Sequence, residues 1–184
     1  MRDDKRQRIL TAATAVFAER DYHQVLVSEV ASRAGVGKGT VYLYFPTKDK
    51  LQRVALEASL ARVAGEIERA ADADAPVADV LREIVGAIVR FFWRRPHLLT
   101  VVQRFEQRYP ARQRRRHVIG AVGRVLVRHR LGSGDRHLDA AFLLGLARTA
   151  ILEHANGDRP ETVADRIVDL FLHGVAGGRR RSAS

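Results

Sequence analysis

The run Gly35-Val36-Gly37-Lys38-Gly39-Thr40-Val41-Tyr42-Leu43-Tyr44-Phe45 decides how this chain is read. It follows a short amphipathic segment, Val27-Ser28-Glu29-Val30-Ala31-Ser32-Arg33-Ala34, with apolar residues at helical spacing. Gly35 stands where a helix ends and the chain needs positive φ, a conformation open to glycine without steric cost. The segment from Lys38 to Tyr44 is too short to persist as an isolated helix, and Gly39 weakens it further. Its neighbours must hold it in place.

A short, polar-faced helix clamped against another across a glycine turn is what a helix-turn-helix reader of duplex DNA requires. Lys38, Thr40, Tyr42 and Tyr44 are all types that contact phosphates or base edges. The stretch from Ala31 to Leu51 carries Ala34-Gly35-Val36, Lys38-Gly39-Thr40-Val41-Tyr42, Tyr44-Phe45 and Thr47-Lys48-Asp49-Lys50-Leu51. It resembles the N-terminal domain of TetR-family transcriptional repressors. The likeness begins at Ile9-Leu10-x-Ala12-Ala13-x-x-x-Phe17-Ala18-Glu19 and runs to about Leu56. Beyond that point the match is one of architecture.

Composition sets the outer bounds. A chain of 184 residues with 46% apolar side chains can build one or two compact units with a real core. No apolar run approaches the roughly 18 to 20 residues that cross a bilayer. The charged start Met1-Arg2-Asp3-Asp4-Lys5-Arg6 is unlike a signal peptide, so a cytoplasmic protein is expected, without a membrane partner. The absence of cysteine excludes disulfides, thiolate nucleophiles and cysteine-ligated metals.

The net charge of +11 points toward nucleic acid, but its distribution is uneven. Residues 1–50 hold nine basic against six acidic side chains, whereas residues 94–130 hold eleven arginines against Glu106 alone. Most of the excess therefore lies outside the reader.

Every segment reads at helical period, so an all-α fold of about nine helices is expected. The first spans about 5–20, with Ile9, Ala13, Val16 and Phe17 on one face. The next two span 27–34 and 38–44. Pro46 then breaks the chain, and Thr47 is a good N-cap for a helix reaching about residue 71, with Asp49 in its first turn. Further helices are expected over about 77–94, 96–108, 110–131, 136–156 and 160–177. The 77–94 helix is apolar enough to be covered on most sides. The expected organisation is a helix-turn-helix domain over 1–50, a linking helix over about 47–71, an effector-binding and dimerisation domain over 51–178, and a disordered basic tail over 179–184. The last two helices carry more apolar surface than one subunit of this size can bury, which suggests a four-helix homodimer interface. Completion of a monomeric core is the alternative.

The 38–44 helix would enter the major groove, braced by Phe17, Val30, Ala34, Val41 and Phe45. Gly39 would let its backbone approach the base edges, and the Thr40 methyl suits a thymine methyl. Lys38 can reach a guanine or a phosphate, and Tyr42, Tyr44 and Lys48 suit phosphates. The resemblance adds Ser28 as a base contact from the preceding helix. The candidate DNA-binding residues are thus Ser28, Lys38, Gly39, Thr40, Tyr42, Leu43, Tyr44 and Lys48. One departure from the family stands out. The Thr/Ser pair that usually caps the 27–34 helix and touches a phosphate is Val25-Leu26 here, with Glu29 at the place of the capping-box acid. The lost cap should cost about 1 kcal/mol unless other groups take up the free N–H donors.

The resemblance further implies a repressor that binds a palindromic operator as a dimer and is released by a small-molecule effector. Phe91, Trp93, Leu99, Val102, Phe105 and Phe142 are candidates for the wall of the effector site, with ordinary core as the competing account. The arginine-rich 110–131 helix could be a solvated face, an aid to DNA binding, or an attractor of an anionic effector such as an acyl-CoA, with planar or lipophilic drugs equally open as effectors. An enzyme is not expected: the seven histidines are scattered, no metal-ligand spacing is present, and no cofactor is implied. A helical adaptor with weakened DNA binding is the other reading.

Overall fold

A computed structural model describes residues 2–20, 22–93, 95–96, 98–99, 102, 112–132, 134–153 and 158–177, and these contain helices and no strand. The helices are α1 (Arg2–Glu19), α2 (Val27–Ala34), α3 (Lys38–Tyr44), α4 (Lys48–Asp72), α5 (Val77–Trp93), α6 (Arg112–Arg128), α7 (Arg136–Glu153) and α8 (Pro160–Gly177). A single 3-10 turn over Tyr22–Gln24 precedes α2 and was not expected. Eight α-helices are described where about nine were expected. The expected 96–108 helix falls mostly outside the described residues. At its start the N–H groups of Leu98 and Leu99 donate to the carbonyls of Arg95 and Pro96, each at 3.0 Å. The expected helix start at Pro110, the closure at Asn156-Gly157 and the tail 179–184 also lie outside the described residues. No helix among those described is long and apolar enough to cross a membrane.

Two compact units divide the chain, Met1–Arg62 and Val63–Ser184. The division lies within α4 and not at residue 50. Its first turns belong to the N-terminal core because Leu51 and Ala55 are buried there, with Val54 and Ala58 packed alongside.

In the N-terminal unit, α1 packs on α2 and α2 on α3. Ile9, Ala13 and Val16 are fully buried from α1, Val30 from α2 and Val41 from α3, with Phe45 just beyond. Two ion pairs tie the end of α1 to α2: Arg33 with Glu19 at 2.8 Å and Arg20 with Glu29 at 3.0 Å. Both are largely solvated, so each contributes at most about 1 kcal/mol.

The start of α2 accounts for Val25 but not for Leu26. No side chain caps this helix, and the Glu29 carboxylate pairs with Arg20 in place of closing a capping box. Val25, however, is buried in the core. Burying a valine side chain stabilises by roughly 1.5–3 kcal/mol, so position 25 serves the core, while the missing cap at Leu26, about 1 kcal/mol, is left uncompensated.

In the C-terminal unit, α5 packs against α6, α7 and α8. Leu81, Ile84, Val85 and Val89 are completely buried, as the apolar pattern of this helix required. Arg82 fastens α5 to α8, reaching Asp165 at 3.2 Å and Asp169 at 3.5 Å while also pairing with Asp79. The Asp135 carboxylate caps α7, accepting from the N–H groups of His137 and Leu138 at 3.0 and 3.1 Å. At its far end α8 kinks at Gly174, where φ is 69°.

Leu26 has the extended backbone of an N-cap (φ −99°, ψ 133°), and its side chain is 63% exposed. Leu26→Ser should therefore raise stability by about 1 kcal/mol, read as a higher urea midpoint with an unchanged slope.

Candidate nucleic-acid interface

The turn between α2 and α3 is built from backbone first. Gly35 takes the left-handed conformation (φ 64°, ψ 40°). Its N–H donates to Ser32 O and that of Val36 to Ala31 O, both at 3.0 Å. This double closure satisfies the last carbonyls of α2, and Val36 folds back onto the core. Arg8 of α1 completes it: Nη2 donates to Ala34 O at 2.7 Å and to Gly35 O at 3.3 Å. The positive φ demands glycine here, and a Cβ at residue 35 would lie 2.6 Å from that nitrogen and push the Arg8 guanidinium aside.

Beyond the turn, α3 is fixed by Val41 and Phe45 and presents the rest outward. Lys38, Gly39, Tyr42 and Leu43 are exposed, Leu43 by 83%, and Thr40 is half-exposed. Tyr44 differs, because its ring packs against the core. Ser28 is exposed on α2. Around Gly39 an added Cβ would meet nothing within 4 Å. Packing within the chain therefore gives no reason for a glycine there, and the helix bears its cost.

The entry to α4 supplies a further charged group. The Thr47 hydroxyl accepts from Lys50 N–H at 3.1 Å, as an N-cap should. The Lys48 ammonium lies over the Tyr22 ring, 4.3 Å from its centroid. That ring stacks on Phe17 (6.4 Å, 9°), and its hydroxyl donates to the Asp49 carboxylate. The bond to Asp49, then burial, then the negative charge of Asp49 push the Tyr22 phenol up from 10.0 to about 12. Tyr22 and Arg8 were not expected from the sequence. Both act over more than twenty residues of separation, and neither sits in a local pattern that marks it.

The candidates for an effector wall differ in burial. Phe91 is buried, edge-on to Phe92 at 4.8 Å and beneath the Arg95 guanidinium at 5.6 Å. Trp93, Leu99 and Val102 are half-buried. Phe105 lies outside the described residues. Phe142 is 59% exposed on α7. Two arginines of α6 have structural partners: Arg124 pairs with Glu68, and Arg128 donates to the carbonyls of Ala71 and Ala73 at the end of α4.

Residues 9–54 match the family model described as bacterial regulatory proteins, tetR family. This segment is therefore similar to the TetR-family N-terminal domain. The family is one of transcriptional regulators, not of enzymes. The TetR-family repressor KstR of Mycobacterium tuberculosis is 36% identical over 101 residues, which is 55% of this chain and 46% of that protein. The chain thus spans about half the length of the curated relatives it matches. Among solved structures, a TetR/AcrR-family regulator from Thermobifida fusca superposes with a TM-score of 0.74 at 21% identity, covering 94% of this chain and 98% of that one. FadR of Bacillus subtilis, solved with stearoyl-CoA, gives 0.63 at 20% identity, covering 92% and 98%. These two likenesses show that the all-helical TetR fold extends beyond the matched N-terminal segment.

Gly39→Ala should stabilise the free protein by about 0.5–1 kcal/mol yet weaken DNA binding. Thermal melts beside anisotropy titrations would read the two opposed effects. The Tyr22 phenol gains its hydrogen bond only when folded and protonated. The stabilisation it brings is whole below pH 10.0 and is lost as pH rises through about 12. Asp49→Ala should return this titration toward the ordinary tyrosine value, followed as the phenolate absorbance difference between each protein and its Tyr22→Phe counterpart.

Proposed function

We propose that this chain is a ligand-responsive transcriptional regulator that binds a palindromic operator as a homodimer and represses until an effector releases it. The observation that carries the reading is the outward face of α3. Lys38, Gly39, Thr40, Tyr42 and Leu43 are presented together by a helix locked from behind by Val41 and Phe45. Side chains of these types suit base edges and phosphates, and Lys48 adds a phosphate contact at the start of α4. Kinship with the repressor KstR supports repression. Such a protein would work in the cytoplasm.

The surface of α7 supports the dimer. Leu138, Phe142, Gly145, Thr149 and Leu152 recur at alternating four- and three-residue spacing, one stripe along the helix, and all five are exposed. The opposite face, with Ala140, Leu143, Ala147 and Ile151, is completely buried. Small residues at the middle of the exposed stripe permit close approach of a symmetry-related α7, with Leu170 of α8 adding apolar area. Two copies would then present two α3 helices to half-sites about 34–36 Å apart or a little more.

Release follows from differential binding. An effector in the C-terminal unit shifts the equilibrium only by its preference for one arrangement of α4. A coupling of about 1–3 kcal/mol gives a useful switch. The stearoyl-CoA bound by FadR makes an acyl-CoA one effector to try first.

Gel shifts on genomic fragments, selected for palindromes, would test the reading. Lys48→Ala should weaken binding to all sequences alike and reduce the slope of log affinity against log salt by about 1. A change in operator preference would instead refute the phosphate role. A strictly monomeric protein that binds no duplex would leave the adaptor reading in place of the repressor.

A further inference from the structure

We propose that Tyr22 is a positioning residue for DNA binding, serving as the platform that holds the Lys48 ammonium ready for a phosphate. The inference rests on the DNA-binding reading above and adds to it a residue outside both α2 and α3.

Tyr22 lies in the 3-10 turn between α1 and α2, yet it is held from three sides. Phe17 of α1 stacks on one face at 6.4 Å. His23 meets the ring edge-on at 5.2 Å. The hydroxyl is anchored on Asp49 in the first turn of α4. A tyrosine needed only to fill space would require none of this restraint. The Lys48 ammonium rests 4.3 Å from the centroid of the ring so fixed, within the range of a cation–π contact.

The chemistry of that seat matters. An unrestrained lysine loses much rotamer freedom when it is fixed on a phosphate. Here part of that freedom is already given up in the free protein. A carboxylate could hold the ammonium as well, but it would neutralise the charge that the phosphate must meet. An aromatic face holds the cation and leaves its charge intact. Asp49, adjacent in sequence, is the obvious competitor for Lys48, and the Tyr22 hydroxyl bonds to that carboxylate. The same tyrosine therefore supports the cation and engages its nearest rival anion.

The test uses the full chain and a fluorescent duplex of mixed sequence, with affinity measured against salt. Wild type, Tyr22→Phe, Tyr22→Leu, Lys48→Ala and the Tyr22→Leu/Lys48→Ala double variant are compared, with helicity checked for each. Tyr22→Leu should weaken binding about two- to fivefold and lower the salt slope, while Tyr22→Phe, which keeps the ring face, should fall between it and wild type. The double variant should bind no more weakly than Lys48→Ala alone. Independent, multiplying losses would overturn the proposal, as would a Tyr22→Leu protein with the wild-type slope. If Lys48→Ala binds like wild type while wild type binds duplex, the platform has no phosphate contact to serve and the proposal fails alone. If wild type binds no duplex, the DNA-binding reading fails with it. A second readout survives even if Tyr22→Leu does not fold. In the NMR spectrum of the wild type, the Lys48 ε-methylene protons should be displaced upfield by the ring current, and unshifted signals would sink the idea without any DNA present.

Discussion

A left-handed glycine and a long arginine meet at the turn that sets the direction of α3. Gly35 reverses the chain after α2, and its N–H and that of Val36 return to carbonyls of that helix. Arg8 crosses from α1 to take the carbonyls of Ala34 and Gly35. The guanidinium sits where the partial negative charge of the α2 terminus is concentrated, so the contact joins a hydrogen bond to a favourable dipole interaction. Since α3 is only seven residues long, it has little helical stability of its own. Its direction comes from this turn behind it and from Val41 and Phe45 beneath it. α1, which carries none of the candidate DNA contacts, therefore determines where those contacts point.

The local exceptions to good helix design lie at exposed positions of the N-terminal unit. Gly39 stands in a helix where alanine would fit, and Leu26 stands at a cap where serine would bond. Leu43 leaves most of a leucine in water. Each is unfavourable for the free monomer, and none is relieved by a neighbour within the chain. The buried side of the same unit shows no such concession, with Ile9, Ala13, Val16, Val30 and Val41 all removed from solvent. Concessions confined to exposed positions are what a surface shaped for a partner would display.

Much of this was legible in the sequence because it rests on local rules. The bounds of α2 and α3, the positive φ of Gly35, the Thr47 cap and the apolar face of α5 each follow from residues a few positions apart. The 3-10 turn at Tyr22–Gln24 and the division within α4 were not legible, since they depend on which distant side chains meet. Tyr22 finds Asp49 across the N-terminal unit, and Leu51 and Ala55 join a core assembled from three preceding helices. The missing cap on α2 was visible as Val25-Leu26, but the different fates of the two residues were not. Only the folded core reveals that Val25 is buried while Leu26 is not.

Composition was the least reliable guide to where charge acts. The eleven arginines between residues 94 and 130 dominate the net charge, yet Arg124 and Arg128 are directed at the end of α4. There they oppose Glu68 and the last carbonyls of that helix, an arrangement that favours cations on electrostatic grounds. Part of the basic surplus is thus a fastening within the C-terminal unit and says nothing about nucleic acid. The N-terminal unit shows the reverse relation. Its first fifty residues carry only a modest excess of positive charge, but individual cations there are seated with care, Arg8 on a helix end and Lys48 on an aromatic ring. For a reader of duplex DNA, a few cations held in register with phosphates count for more than a larger number spread over the chain. A phosphate meets a charge at a fixed position, and each side chain that is still mobile must lose its freedom before it contributes.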